Sequence, residues 1–293
     1  LDMGVDGFRE DVITYISKTP GLPSVYPKLP AANGMQHYSN RPDVHRYLSE
    51  FRHDVLDNYD CFVVGESPLT NADIALKYVT EGKDKVLDEM IAFSHMEADC
   101  FMTDFVPRPF SLRKMKKAFT TWQKKLEGRG WNALYIENHD HPRIISRYGS
   151  EQYWKESGKM LAAMYILQRG TPFVYQGQEI GMLNFALPRL DMYKDVMTFN
   201  AARIASRLMP KSRVLKLIND RSRENARTPM QWSDEANAGF STVKPWFYVN
   251  SNYHTINVRT EEDDPDSILN FYRKVLKFKK ETPAAIYGTY REY

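Results

Sequence analysis

Five short apolar runs, separated by segments with helical periodicity, most constrain what this 293-residue chain can fold into. The runs cover residues 4–12, 61–66, 90–96, 131–140 and 171–179. β-Branched and aromatic side chains are frequent in them, which is typical of strands. Strands that alternate with helices predict βαβ units and a parallel sheet. The pattern therefore predicts an α/β fold.

The segments between the runs have apolar residues at helical spacing. They predict helices at about residues 42–55, 76–90, 112–126 and 151–168, and a last helix that begins near Pro265. Ser111 is the predicted N-cap of the third helix, whose lysines form its solvated face. Residues 183–257 predict a long loop without regular structure, and loops of that length usually have a function. Residues 285–290 predict a strand.

Charge and composition exclude several classes of protein. Lys and Arg number 40 against 37 Asp and Glu, so the net charge is only +3, and neither nucleic acid nor an anionic membrane is expected as a partner. The chain has no apolar stretch of the roughly 18 residues that a membrane helix needs. Cys61 and Cys100 are expected to be reduced, which favours a cytoplasmic location.

The first, second and fourth runs each have a carboxylate at or next to the C-terminal end: Asp11, Glu66 and Asp140. The carboxyl ends of parallel strands meet at one edge of the sheet, where barrel enzymes collect their active sites. Side chains two residues apart on a strand point the same way, so Arg9 is expected to face Asp11 and keep it ionised. A carboxylate nucleophile needs that charge. Taken alone, the two residues are also compatible with a structural ion pair.

A metal site is the other interpretation of the polar cluster at the fourth run. His139, Asp140 and His141 are potential ligands, but consecutive residues at a strand end point in opposite directions. The sequence offers no further ligand at a suitable spacing, so no metal site is predicted.

Five motifs, in order, carry a family resemblance. They are Gly-Phe-Arg-Glu-Asp at 7–11, Val-Gly-Glu at 64–66, Glu-Asn-His-Asp-His-Pro-Arg at 137–143, Tyr-Gln-Gly-Gln-Glu-Ile-Gly-Met at 175–182 and Asn-Ala-Arg-Thr-Pro-Met-Gln-Trp at 225–232. On these motifs the chain resembles the α-amylase superfamily of glycoside hydrolases (family 13), and within it the α-glucosidase/oligo-1,6-glucosidase branch.

The resemblance implies a retaining double displacement on a terminal α-glucosidic bond of a short oligosaccharide. Asp11 is the implied nucleophile, Glu66 the general acid and base, and Asp140 the third carboxylate, which grips the sugar hydroxyls. Glu66 follows an apolar run, where desolvation raises a carboxyl pKa. Such enzymes need one ionised and one protonated carboxyl group, about 5–5.5 Å apart.

The resemblance also implies binding roles for Arg9, His139, Arg227 and Val12. His139 is expected to bind a sugar hydroxyl, although a bond to a neighbouring carbonyl is the plainer interpretation. Arg227 is expected to help close the glucose pocket, with a salt bridge in the loop as the alternative. In this branch a valine after the nucleophile goes with α-1,6 preference, so Val12 predicts an isomaltose-type substrate.

The resemblance implies that the chain corresponds to strands four to eight of a (β/α)8 TIM barrel. Residues 1–282 are then part of the catalytic barrel domain, and residues 283–293 begin a C-terminal β domain. No cofactor is expected within this chain, and a divalent-cation loop is expected upstream of it. The chain begins without Met in mid-element, so we expect it to be partial and expect the fragment alone to be inactive.

Two further functions are compatible with the motifs. A transglucosylase such as a sucrose isomerase uses the same three carboxylates, but its Arg- and Asp-rich motif is not apparent between Arg147 and Lys159. A non-catalytic relative with a structural role is the other, although such relatives tend to lose the carboxylates. The chain departs from the family pattern at His141, where glutamine is common, and at Glu10, where methionine is common.

Overall fold

The computed structural model of the chain describes residues 1–21, 23–25 and 34–292. Within them, the strands are β1 Gly7–Glu10, β2 Phe62–Glu66, β3 Glu89–Ile91, β4 Cys100–Phe101, β5 Thr103–Pro107, β6 Asn132–Leu134 and β7 Thr171–Pro172. The α-helices are α1 Asp43–Asp54, α2 Ala72–Val79, α3 Leu112–Leu126, α4 Ile144–Tyr148, α5 Trp154–Ile166, α6 Val196–Ala205, α7 Lys211–Arg221, α8 Val258–Asp263, α9 Ile268–Glu281 and α10 Pro283–Tyr287.

Five strands form one parallel sheet in the order β1-β2-β3-β6-β7. Arg9 pairs in register with Val64, and Glu66 with Ile91, so the carboxyl ends of the first three strands lie at the same edge. The predicted α/β fold and all five predicted parallel strands are confirmed. The remaining strands, β4 and β5, form a separate antiparallel hairpin.

Helices pack against the sheet, and the side chains buried between the helices and the strands form the hydrophobic core. One cluster packs α1 and α2 against β2, with Val44, Leu48 and Val63 fully or almost fully buried. A second cluster packs α5 against α9 through Tyr165 and Ile268. These two clusters hold the loops that follow β2 and β6 in place.

The prediction of a structureless loop over residues 183–257 is wrong. The segment contains α6 and α7, which pack on each other around a third apolar cluster that includes Phe185, Val214, Ile218 and Phe247. α7 buries Val214 and Ile218 in this cluster, whereas α6 contributes mainly alanines to it and leaves large apolar side chains such as Phe199 exposed. The large apolar residues of α6 therefore do not mark its buried face, and the pattern that predicts an amphipathic helix is weak there.

Two other boundaries also differ from the prediction. The helix expected over 76–90 ends at Val79, because a turn with Gly82 at φ +128° follows and residues 89–91 pair as β3. The prediction of a strand over 285–290 is wrong, because residues 283–287 form α10, which Pro283 starts at the position where proline is best tolerated, and residues 288–290 form no strand. A domain boundary at residue 282 and a following β domain stay predictions, and Tyr293 lies outside the described residues.

The sequence located the third helix correctly. The hydroxyl of Ser111 accepts a hydrogen bond from the Lys114 amide at 3.3 Å and caps α3, as predicted. The last long helix, α9, begins at Ile268 under a Ser267 cap, three residues later than predicted.

Candidate active site

The ends of β1 and β2 bring Asp11 and Glu66 together around one arginine. Arg9 Nη1 donates to Asp11 Oδ1 at 2.7 Å, and Arg9 Nη2 donates to Glu66 Oε2. The chain leaves the strand at once, because Val12 adopts φ 48°, ψ 37° and begins the 3₁₀ turn Ile13–Tyr15. Such a left-handed conformation is strained for a β-branched residue and is typical of functional sites. The turn leaves the Asp11 side chain 70% exposed, whereas that of Glu66 is 7% exposed.

The two carboxyl groups differ in acidity. A hydrogen bond with Glu66 lowers the pKa of Asp11, with a further contribution from the charge of Arg9. Burial raises the pKa of Glu66 to about 7, and the hydrogen bond with Asp11 acts in the same direction. Below about pH 7 the pair therefore holds an ionised Asp11 and a protonated Glu66, the division of charge that a nucleophile and a general acid need.

Asp140 is held by arginines from a distant segment. Its Oδ1 accepts hydrogen bonds from Arg223 Nη1 at 2.9 Å and from Arg227 Nη2 at 2.6 Å. Arg227 Nε also donates to the His139 carbonyl at 2.8 Å, and the His139 ring lies 3.5 Å from Asp140 Oδ2. Arg227 thus forms the salt bridge expected of a loop arginine, and its partner is the third carboxylate.

The predicted site residues share one neighbourhood. After burial and Asp11, the charge of Asp140 also raises the pKa of Glu66. After Glu66 and Arg9, the His139 ring contributes to lowering the pKa of Asp11. The structure therefore places Arg9, Val12 and the three carboxylates at the same edge of the sheet as His139 and Arg227.

Sequence reasoning missed two residues of this site. Arg223 binds Asp140, and Asp195 binds Arg223 while capping α6 through the Met197 amide at 2.6 Å. Arg223 lies four residues before Arg227 in the same segment, which was the available signal. The sequence offered no comparable signal for Asp195, because its position depends on helix α6, which was not predicted.

Arg143 and Glu137 form a buried ion pair across the loop that contains Asp140. Arg143 is fully buried, and its Nη1 donates to Glu137 Oε1 at 2.5 Å and to the Gln176 carbonyl at 2.7 Å. Glu137 Oε2 accepts from the Ile144 amide at 3.0 Å. These bonds fix the loop of residues 137–143 against the turn after β7.

A cleft of about 1060 Å³ opens beside Asp140. Its walls are the loop after Glu66, the β4–β5 hairpin and helices α6 and α7, with mostly apolar side chains such as Met102, Val106 and Ile204. Pro68 and Leu69, two and three residues after Glu66, line the cleft, so it extends to the loop that follows Glu66. The described part of the chain has no group of three or more His, Cys, Asp or Glu side chains that could hold a metal ion.

Comparisons with known proteins agree with this geometry. The α-amylase catalytic-domain family matches residues 1–288. The oligo-1,6-glucosidases of Parageobacillus thermoglucosidasius and Bacillus cereus are 43% and 41% identical over 99% of this chain and 52% and 53% of their own length. The chain thus spans about half the length of the curated relatives it matches.

Solved structures show the same relationship. An isomaltulose synthase from Klebsiella has a TM-score of 0.93 at 32% identity, over 99% of this chain and 53% of its own. A trehalose-6-phosphate hydrolase from Bacillus licheniformis has a TM-score of 0.89 at 37% identity, over 97% of this chain and 51% of its own.

Proposed function

Since this chain belongs to the α-amylase catalytic-domain family of glycoside hydrolases, we propose that it supplies the catalytic carboxylates of a retaining α-glucosidase. The substrate is a short oligosaccharide whose terminal glucose is α-1,6-linked. The five parallel strands are strands four to eight of the (β/α)8 barrel of this family. The observation that carries the proposal is Arg9, which donates to both Asp11 and Glu66 while their pKa values are moved apart.

The reaction divides into two displacements. In the first, Asp11 attacks the anomeric carbon while Glu66 gives its proton to the departing glycosidic oxygen, which leaves a glucosyl–Asp11 ester. In the second, water attacks the anomeric carbon of that ester while the Glu66 carboxylate takes a proton from the water. The bond between the anomeric carbon and Asp11 breaks, which releases glucose and restores the Asp11 carboxylate. Asp140 and His139 bind sugar hydroxyls, and Arg227 orients Asp140 through its hydrogen bond.

The α-1,6 preference rests on Val12 and on the similarity to oligo-1,6-glucosidases. Val12 immediately follows the nucleophile, and its strained backbone fixes where its side chain lies. One methyl group against one hydroxyl in a pocket shifts selectivity by roughly 1–3 kcal/mol.

The test is glucose release from isomaltose and maltose by the protein expressed from its complete gene. We expect a higher kcat/KM for isomaltose, and we expect Val12→Thr, which keeps the β-branched shape, to lower the isomaltose-to-maltose ratio by about tenfold. A ratio that Val12→Thr leaves untouched would refute the assignment of Val12.

Asp11→Asn is the matched control for catalysis. It keeps the size of the side chain but removes the nucleophile, so kcat is expected to fall on the order of 10³-fold or more. If instead the wild type and Asp11→Asn release equally little glucose, the protein is a non-catalytic relative and the proposed hydrolase activity is wrong.

A second candidate function is transfer of the glucosyl group to another sugar, as in a sucrose isomerase. It is favoured by the structural similarity to an isomaltulose synthase. Sucrose as the only substrate separates the two functions: a sucrose isomerase converts it mainly to an isomeric disaccharide, whereas the proposed α-1,6-glucosidase forms no isomeric disaccharide from it.

We also propose that the reaction uses no cofactor held by this chain, that a divalent cation site lies upstream, and that the protein acts in the cytoplasm on small oligosaccharides. Free Cys61 and Cys100 support that compartment. No helix among the described residues has the length and apolarity needed to cross a membrane.

A further inference from the structure

A buried network of charged side chains, centred on Arg147, contacts the residue that follows Asp140. Arg147 on α4 donates through Nη2 to Asp99 Oδ1 and to Asp104 Oδ1, each at 2.7 Å. The side chains of Arg147 and Asp99 are 1% and 2% exposed. Arg221, at the end of α7, also donates to Asp99. The network thus joins the β4–β5 hairpin to two helices.

His141 connects this network to the catalytic loop. It follows Asp140 in sequence, and its Nδ1 lies 2.6 Å from Asp104 Oδ2. Arg147 Nη1 lies 3.2 Å from the same nitrogen. His141 Nε2 is buried and has no hydrogen-bond partner within residues 1–21, 23–25 and 34–292. The ring is therefore held by the carboxylate at Nδ1.

Asp104 is well suited to hold the ring. Burial alone would raise its pKa, but the charges of His141, Arg147 and Arg221, together with the His141 hydrogen bond, bring the pKa below its usual value. An ionised aspartate accepts a stronger hydrogen bond than a neutral one. The bond from His141 is thus a firm link between the loop of Asp140 and β5.

The hairpin that Asp104 belongs to forms one wall of the cleft beside Asp140. Thr103, Phe105 and Val106 line that wall, and His141 lines the cleft as well. A shift of the hairpin changes the space open to the leaving sugar, whereas Asp140 itself is held by Arg223 and Arg227, which do not belong to the hairpin.

We propose that His141 is a positioning residue that holds the β4–β5 hairpin against the Asp140 loop and thereby sets the fit of the leaving sugar. The proposal rests on the proposed glucosidase function. It assigns a role to a position where the family commonly has glutamine, through a contact that the fold makes with Asp104. Misplacement of a substrate group by about 1 Å can cost on the order of 100-fold in rate.

The experiment compares two substrates of the protein expressed from its complete gene. Isomaltose places a sugar in the cleft, whereas α-glucosyl fluoride has a leaving group that does not reach the hairpin. We expect His141→Leu to lower kcat/KM for isomaltose about tenfold or more and to change that for α-glucosyl fluoride less than about threefold. His141→Asn, whose amide N–H falls near the position of Nδ1, is expected to restore isomaltose hydrolysis to within about threefold of wild type.

Asp104→Asn and His95→Leu complete the design. Asp104→Asn in the His141→Leu background is expected to add less loss than it causes in wild type, because the two residues act as one unit. His95 is also a buried histidine, stacked on Phe119, and within the described part of the chain it forms no ion pair with an aspartate. His95→Leu is therefore expected to leave the substrate ratio unchanged.

Three results overturn the proposal. Equal losses on both substrates mean a purely structural role for His141, and unchanged rates mean no role. In either case wild-type hydrolysis leaves the glucosidase function standing. A wild type that hydrolyses neither substrate overturns the glucosidase function, and the positioning role with it.

Discussion

Arg9 makes two contacts in the site, and only the one with Asp11 could be predicted from the spacing of residues in the sequence. Its spacing from Asp11 predicted their contact, which is confirmed at 2.7 Å. Its second bond, to Glu66, depends on the register that sets Arg9 opposite Val64, and no local pattern carries that information. Arg223 and Asp195 were missed for the same reason, since the bond from Arg223 to Asp140 and the bond from Arg223 to Asp195 both join parts of the chain distant in sequence.

Glu66 is expected to set the alkaline limit of activity. Its pKa of about 7 means that the acid form, which donates the proton, is lost as pH rises through 7. Asp11, with its lowered pKa, stays ionised over the same range. We expect kcat/KM for isomaltose to fall about tenfold per pH unit above 7, as measured by the pH profile of the protein expressed from its complete gene.

Glu66→Gln with α-glucosyl fluoride tests this assignment. Fluoride leaves without a proton, so this variant is expected to form the glucosyl intermediate and to lose the alkaline fall in that step. An alkaline limb that persists unchanged with this variant and substrate would assign the titration to another group.

At the scale of elements, local signals worked where one side of a helix faces the main core. The Ser111 cap and the apolar stripe located α3, and the five apolar runs located the strands. The same signals failed for α6, α7 and α10, which are short. The first two pack in a separate cluster that is defined by tertiary packing, and α6 contributes alanines to it while its large apolar side chains stay exposed.

Arg143 is the strongest single link between the segments after β6 and β7. Its guanidinium bonds Glu137 and the carbonyls of Gln176 and Ala226, with no exposed surface. Removal of one partner of a buried pair leaves an unpaired buried charge. We expect Arg143→Met to lower the free energy of unfolding by about 3–5 kcal/mol, as measured by urea denaturation.

The double variant Arg143→Met/Glu137→Gln separates the charge from the packing. The glutamine introduced by Glu137→Gln keeps an acceptor for the Ile144 amide but has no charge, so the double variant is expected to be more stable than Arg143→Met. A double variant that is less stable than Arg143→Met would show that the arginine acts mainly through its other contacts.

At the scale of the whole molecule, the candidate site is assembled along one edge of an open sheet. Asp11 follows β1, Glu66 is the last residue of β2, Asp140 lies in the loop after β6, and Arg227 in the segment after α7 binds Asp140. The sequence predicted this arrangement because parallel strands end at one edge. It could not predict the hairpin and helix pair that wall the cleft, since they lie outside the barrel repeat.

The open sheet leads to a prediction for residues 1–293 expressed alone. Within the described residues, β1 and β7 each pair on one side, and Phe8 and Phe62 remain 42% exposed beside the β1 edge. Unpaired strand edges with apolar side chains favour association between chains. We therefore expect this chain alone to elute as oligomers in size-exclusion chromatography with light scattering and to release no glucose from isomaltose.

The protein expressed from its complete gene is expected to hydrolyse isomaltose under the same conditions. Equal kcat/KM for the two proteins, with the short one monomeric, would mean that these five strands form a complete glucose pocket, and the assignment of the sheet to part of a closed barrel would then no longer explain how the site works.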